Sequence, residues 1–239
     1  MGRIGIIIAM VLCTSFINPM FAPSLVSYFP MDKQTGNVCM DMKTGDRLVG
    51  VGNPYIVNAS AYCNGSSSYY EAQNPNEWKR LTNKMSLSFW GKRVTTGSGC
   101  FVAALDLGAG VTVWNVQNTA AGNFQMAVIS APSTTNTFGT GSAAYQSANV
   151  WRHFVATYDG TEGTAANRVK LYVNGVNISA SAGMGGTIPT ALYNPLNTTL
   201  RIGRSVATYV GNSFIKFVEL YDRPLTATEV KDIYVSEYN

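Results

Sequence analysis

The most regular feature of the chain is a two-residue alternation of apolar and polar side chains, interrupted at short intervals by Gly, Asn, Pro and Ser/Thr clusters. Residues 85–92 place Met85, Leu87 and Phe89 on one face and Ser86, Ser88 and Trp90 on the other, the period of a strand with one face on a core. Residues 168–173 alternate likewise. Asn174-Gly175 follows, a pair suited to the two positive-φ positions of a type I′ hairpin turn, and Val176-Asn177-Ile178 returns. Residues 151–158 carry large side chains on both faces, which predicts a central strand covered on both sides and ended by Asp159-Gly160. Residues 214–221 predict the last strand, stopped by Arg223-Pro224. Only then does a helical period appear. Thr226 and Glu229 have capping-box spacing, and Val230, Ile233 and Tyr234 form one apolar stripe, so a short helix is expected to pack on the sandwich edge.

A different pattern precedes Ser24. No charge occurs between Arg3 and Asp32, and residues 4–12 are an unbroken apolar run. Arg3 and this run suit a secretory signal, but Met20-Phe21-Ala22 with Pro23 behind it is a poor small-x-small cleavage site, so retention is expected. Asn18 and Pro19 interrupt the stretch as a membrane span. Two readings stay open for residues 1–23: a membrane anchor through residues 4–22, or an apolar arm buried against a neighbouring subunit. Residues 24–239 are expected to form one domain.

Composition agrees with an all-β chain. Of 239 residues only 13% are charged against 46% hydrophobic, with 23 Gly and many Ser, Thr and Asn, a balance of turns and packed strands in one sandwich of generous size. The net charge of +4 is scattered. No basic stripe marks a nucleic-acid surface, so nucleic acid is not expected as a partner. Cys13, Cys39, Cys63 and Cys100 show neither C-x-x-C nor Cys/His spacing, and His153 is the single histidine. No structural zinc and no cofactor are expected, and the pairing of the cysteines stays open.

Five stretches taken in order resemble the laminin-G-like jelly roll of the concanavalin A-like lectin/glucanase superfamily. They are residues 25–32, with Tyr28, Pro30 and Asp32; Tyr69-Tyr70 followed by residues 85–92; residues 151–160 with residues 170–175; residues 200–203; and residues 218–226 with Glu229-Val230. The resemblance implies a two-sheet antiparallel jelly-roll sandwich with a short C-terminal helix, preceded here by the apolar arm. It implies little about activity, because this fold hosts lectins, receptor modules, glycosidases and inert structural parts.

Polysaccharide-cleaving members of that superfamily carry paired carboxylates on one strand, and no Glu-x-Asp-x-Glu cluster is present here. Asp159/Glu162 and Glu219/Asp222 are the nearest approaches, and both spacings suit solvated charges. His153 lies in the central strand with no Ser or Cys nucleophile beside it in the pattern, so a structural role is expected. Asp41, Asp46 and Asp106 sit near turns without a calcium-loop spacing, so no metal is expected. Four Asn-x-Ser/Thr matches, at Asn58, Asn64, Asn177 and Asn197, have meaning only in a eukaryotic secretory setting. For a glycan, Trp90, Tyr158 and Tyr172 are the candidate contacts, assigned by parity to the sheet face opposite the core. The expectation is a non-enzymatic structural or adhesion component displayed on a particle surface, first of all a minor capsid-associated virion protein, located on a virion or cell surface, attached through its N-terminal arm and packed among other structural proteins. The alternatives are a secreted or membrane-tethered carbohydrate-binding module and, third, a polysaccharide-cleaving enzyme.

Overall fold

The computed structural model describes residues 24–33, 37–73, 75–106, 109–131, 137–144, 147–184, 187–195, 197–205 and 211–238. The expected anchor or arm, residues 1–23, lies outside the described residues. In chain order the strands begin with β1 (Leu25–Phe29), β2 (Val38–Met40), β3 (Arg47–Val51), β4 (Tyr55–Val57), β5 (Ser60–Asn64) and β6 (Tyr69–Gln73). A short helix, α1 (Asn76–Arg80), leads to β7 (Lys84–Arg93), β8 (Gly99–Asp106), β9 (Val111–Asn118), β10 (Asn123–Val128) and β11 (Thr137–Ala144). Then come β12 (Arg152–Asp159), β13 (Val169–Val173), β14 (Val176–Asn177), β15 (Ser179–Met184), β16 (Thr199–Ile202), β17 (Asn212–Tyr221) and the closing helix α2 (Ala227–Tyr238).

Among the described residues these strands form two antiparallel sheets. The first runs β14-β13-β12-β7-β17-β5-β4, with β1 also on β17, and the second runs β15-β11-β10-β9-β8-β16-β6-β3-β2. The alternation seen in the sequence explains the layering. Phe89 of β7, Phe101 of β8, Phe124 of β10 and Phe154 of β12 meet between the sheets with ring centroids 4.9–5.4 Å apart in four of the pairs. Such rings contribute beyond their buried area, and truncating one typically costs about 3–5 kcal/mol. The predicted hairpin is present: Asn174 and Gly175 both have positive φ, and Val173 pairs with Val176. Helix α1 was not legible as a periodic element. Its Trp78 is buried, stacks on Trp114 and donates from Nε1 to Ser27 Oγ.

Two departures from simple alternation shape the outer face of the first sheet. β17 follows β7 in register from Phe214–Lys92 to Lys216–Trp90, then resumes at Glu219–Ser88. Two residues on β17, Phe217 and Val218, thus oppose one on β7, Phe89, a bulge centred on Phe217, whose φ is +53°. The bulge reverses parity. Lys216 lies on the outer face, and beyond the bulge so do Glu219 and Tyr221, while Ile215, Val218 and Leu220 fill the core. Secondly, α2 does not merely cap an edge. It lies over the outer face, where Val230 and Ile233 pack with Leu25, Val155, Tyr172, Tyr221 and Leu225. Its start is the expected capping box, with Thr226 N donating to Glu229 Oε2 and Glu229 N to Thr226 Oγ1. No helix among the described residues is long and apolar enough to cross a membrane.

Candidate binding surface

The three aromatic side chains singled out by parity are all covered. Tyr158 pairs with Met85 and points into the inter-sheet core, where its hydroxyl donates to the Pro189 carbonyl. Its expected outward direction is corrected: β12 carries large residues on both faces, so its sequence pattern did not distinguish them. Trp90 and Tyr172 do face outward, but α2 roofs them, leaving 4% and 3% exposed. Trp90 stacks on Tyr234 and donates from Nε1 to Glu237 Oε2 at 2.6 Å. None of the three presents an open ring face to a ligand in this arrangement.

Beneath α2 lies a polar cluster that the sequence did not announce. Ser88 Oγ is 2.8 Å from His153 Nε2, correcting the view that no serine neighbours this histidine. Glu219, expected as a solvated charge, is 1% exposed because the bulge turns it under the helix, and it accepts from Tyr221 OH at 2.7 Å. Burial pushes its carboxyl up to about 7 against the lowering effect of the Tyr221 and Ser88 hydrogen bonds. Burial, then the charge of Glu219, also raises Glu237, while Trp90 and Lys216 act in the opposite direction. Burial alone pushes His153 down to about 3, so the ring is neutral. The cluster is not a serine triad. Glu237 Oε2 is 3.9 Å from Nε2, the nitrogen that also meets Ser88, while Nδ1, where an orienting carboxylate belongs, has no hydrogen-bond partner.

The outer face of the second sheet carries a chain of amide and hydroxyl hydrogen bonds beside a small apolar cluster of Cys100, Ala103 and Leu105, although Asn115 Oδ1, and Asn118 Oδ1 at the end of β9, are buried without a partner. Gln125 donates to Thr140, Gln117 to Gln125, and Asn115 to both Gln117 and Ser205. Arg201 Nε pairs with Glu71 Oε2 at 2.6 Å, and Thr199 donates to Gln73. These side chains fix strand register by holding one another. Asp41 is likewise saturated, accepting from Ser27 Oγ and from the backbone N–H of Tyr28, Lys43 and Thr44. Asp106 accepts from Tyr193 OH and Ala109 N. Among the described residues no group of three or more His, Cys, Asp or Glu gathers as a metal site would.

What remains open is a row across the first sheet, next to the roofed cluster. Tyr55 of β4 pairs with Tyr62 of β5, Tyr62 with Phe214 of β17, and Phe214 with Lys92 of β7. Trp151, the residue before β12, extends the row on the far side of Lys92, since Arg152 pairs with Gly91. The four strands and Trp151 make a line about 19 Å long at the usual strand spacing. Centroids of Tyr55 and Tyr62 are 5.0 Å apart and those of Tyr62 and Phe214 are 4.9 Å apart. Tyr55 is 48% exposed, and Tyr62, Phe214, Lys92 and Trp151 are half-buried. Lys92 Nζ lies 4.3 Å from the Phe214 centroid and 5.2 Å from that of Trp151, and Lys216 Nζ lies 5.1 Å from the latter. Pairing register assembled this row from segments far apart in the chain, which is why parity within single strands missed it.

The architecture is therefore that of a lectin-like jelly-roll sandwich. A laminin G family model, described as the concanavalin A-like lectin/glucanases superfamily, matches residues 64–231, and the chain belongs to that superfamily. A comparison with curated proteins found no significant match. Among solved structures, the fold is similar to the binding domain of botulinum neurotoxin DC in complex with rat synaptotagmin II. The TM-score is 0.64 at 12% identity, covering 89% of this chain and 51% of the toxin chain. It is also similar to a botulinum neurotoxin type C structure described through its interaction with two ganglioside molecules, with TM-score 0.63, 13% identity and coverage of 89% and 51%. Trypanosoma rangeli sialidase in complex with sialic acid gives TM-score 0.62 at 14% identity, covering 91% of this chain and 33% of the enzyme. The chain thus spans about half the length of the toxin chains, 51%, and a third of the sialidase, 33%. At such identities the likeness concerns fold.

Proposed function

We propose that this protein is a non-catalytic, glycan-binding adhesion module. The observation that carries the reading is the row Tyr55–Tyr62–Phe214–Lys92–Trp151 on the outer face of the first sheet. Carbohydrate rings present flat C–H faces, and tyrosine and tryptophan combine an apolar face with a polar edge, which suits them to a partner of mixed polarity. A rigid cross-strand row loses little conformational freedom on binding. The similar toxin structures are described with gangliosides and SialylT, and the sialidase with sialic acid, which supports a glycan as the class of partner.

The non-catalytic part rests on the site chemistry. Two carboxyl groups that act on each other, Glu219 of β17 and Glu237 of α2, are enclosed between the helix and the sheet rather than set on either side of an open groove. The setting we infer is a particle or cell surface, a virion among them, with attachment through the apolar residues 1–23 and with other structural proteins as neighbours. The uncharged stretch up to Asp32 supports this attachment. The test is a glycan array probed with the full chain, with Trp151→Ala and Tyr62→Ala losing signal while their melting curves stay near wild type, and with no new reducing ends on a polysaccharide panel. Equal array signals for wild type and both variants would remove the reading. For the setting, co-sedimentation with particles or membranes that is lost on deleting residues 1–23 is expected, and unchanged partitioning refutes it.

A further inference from the structure

The row is not simply aromatic. Two ammonium groups lie over one ring: Lys92 Nζ is 5.2 Å and Lys216 Nζ 5.1 Å from the Trp151 centroid, so the two nitrogens are within about 10 Å of each other. Lys92 also crosses the Phe214 ring, and Lys216 the rings of Trp90 and Phe217. The ring faces hold both cations at a place where they repel one another. None of the ion pairs among the described residues involves Lys92 or Lys216. The carboxyl that reaches toward Lys216 is Glu237, and it accepts from Trp90 Nε1. Burial and the neighbouring Glu219 favour its neutral form, so it is a poor counter-ion. On the other strands of the row the partners are Tyr55, Tyr62 and Phe214, which bring no negative charge.

Resting on the glycan reading of this surface, we infer that the row selects acidic oligosaccharides, with a carboxylate or sulfate seated between Lys92 and Lys216 over Trp151 and the adjoining sugar faces along Tyr62 and Tyr55. The anion supplies the charge that the pair of lysines lacks. The aromatic row alone would accept neutral and acidic sugars equally, so the lysines are the specificity-determining groups.

The experiment is calorimetric titration of the full chain with 3′-sialyllactose against lactose, and with a heparin hexasaccharide against its desulfated, N-acetylated and carboxyl-reduced form, which is neutral. Variants are Lys92→Met, Lys216→Met, their double, and Trp151→Ala, where methionine keeps the apolar stem over the ring. At least one acidic member is expected to bind at least about tenfold tighter than its neutral partner, a preference that shrinks as salt rises from about 50 to about 500 mM. The double methionine variant is expected to lose that preference, acidic and neutral members then binding alike, and Trp151→Ala to weaken both. Neutral and acidic sugars binding alike, with the lysine variants inert, overturns the acidic specificity and leaves the glycan reading intact. No binding of any sugar overturns both. Trp151-dependent binding to anionic vesicles in place of sugars also overturns the inference.

Discussion

Glu219→Gln isolates the energetics of the cluster under α2. The wild-type carboxyl has its value raised from 4.5 to about 7 by burial. Between those values the folded chain holds a proton that the unfolded chain has released, so this group's contribution favours folding less and less as pH rises from about 4.5 to about 7. At 1.36 kcal/mol per unit the full loss is about 3 kcal/mol, most of it between about pH 5 and 7. Glutamine carries no such charge and keeps an acceptor for Tyr221. His153 has the opposite sign, since its neutral form is favoured and its cost appears below about pH 6.5, but it is present in both proteins and cancels in their difference. Glu237 does not cancel, because the charge of Glu219 raises it and the variant removes that charge, which adds to the same trend. Any offset from the amide geometry is independent of pH. The assay is urea unfolding of both proteins at half-unit steps from pH 5 to 8. Stability of the variant relative to wild type is expected to climb by about 2–3 kcal/mol across that range. A difference flat to within about 0.5 kcal/mol would refute the burial of an ionisable Glu219 as argued here.

Further outcomes follow from the same packing. Trp90→Ala removes a ring stacked on Tyr234 and leaves Glu237 without its donor, so a loss of about 3–5 kcal/mol in urea unfolding is expected, against about 1 kcal/mol for the half-exposed Trp151. Gly203→Ala places a Cβ 2.3 Å from Cys63 Sγ at a backbone φ of +92°, and a loss of about 2 kcal/mol or more is expected by thermal unfolding. Glu229→Gln removes the charge that pairs with Arg223 while leaving an amide oxygen that can still serve the capping box. Because this carboxyl is held down to about 2 chiefly by Arg223, its stabilisation is present above about pH 4.5 and lost as pH falls toward about 2. About a third of the side chain is exposed, which limits the cost at pH 7 to about 0.5–1 kcal/mol. In a Cys13→Ser background, native chain at pH 8 should leave Ellman's reagent unreacted, since Cys39, Cys63 and Cys100 are buried and burial pushes all three thiols up.

The sandwich was legible because its signals are local. The alternation in residues 85–92, the Asn174-Gly175 turn and the Thr226/Glu229 box each specify backbone geometry within a few residues, and each is present as expected. The aromatic row was not legible for the opposite reason: Tyr55, Tyr62, Phe214, Lys92 and Trp151 meet only through pairing register between strands distant in the chain. Residues 214–221 illustrate the second obstacle. Strict alternation would set Val218 and Leu220 on the same face as Phe214 and Lys216, and one extra residue at Phe217 instead sends Glu219 and Tyr221 there. Trp90 illustrates the third. Its outward direction was readable, but whether α2 would cover that face or sit at the edge depends on tertiary packing that a capping box does not encode.

The central claim places recognition on the first sheet's outer row rather than on the polar face of the second sheet. Amide and side-chain NMR shifts during titration with a bound oligosaccharide locate the contact directly. Perturbations gathered at Tyr55, Tyr62, Lys92, Trp151 and Phe214, with Gln117, Gln125 and Arg201 unmoved, are the predicted result. Shifts concentrated on Gln117, Gln125 and Arg201, with the aromatic row silent, would contradict it.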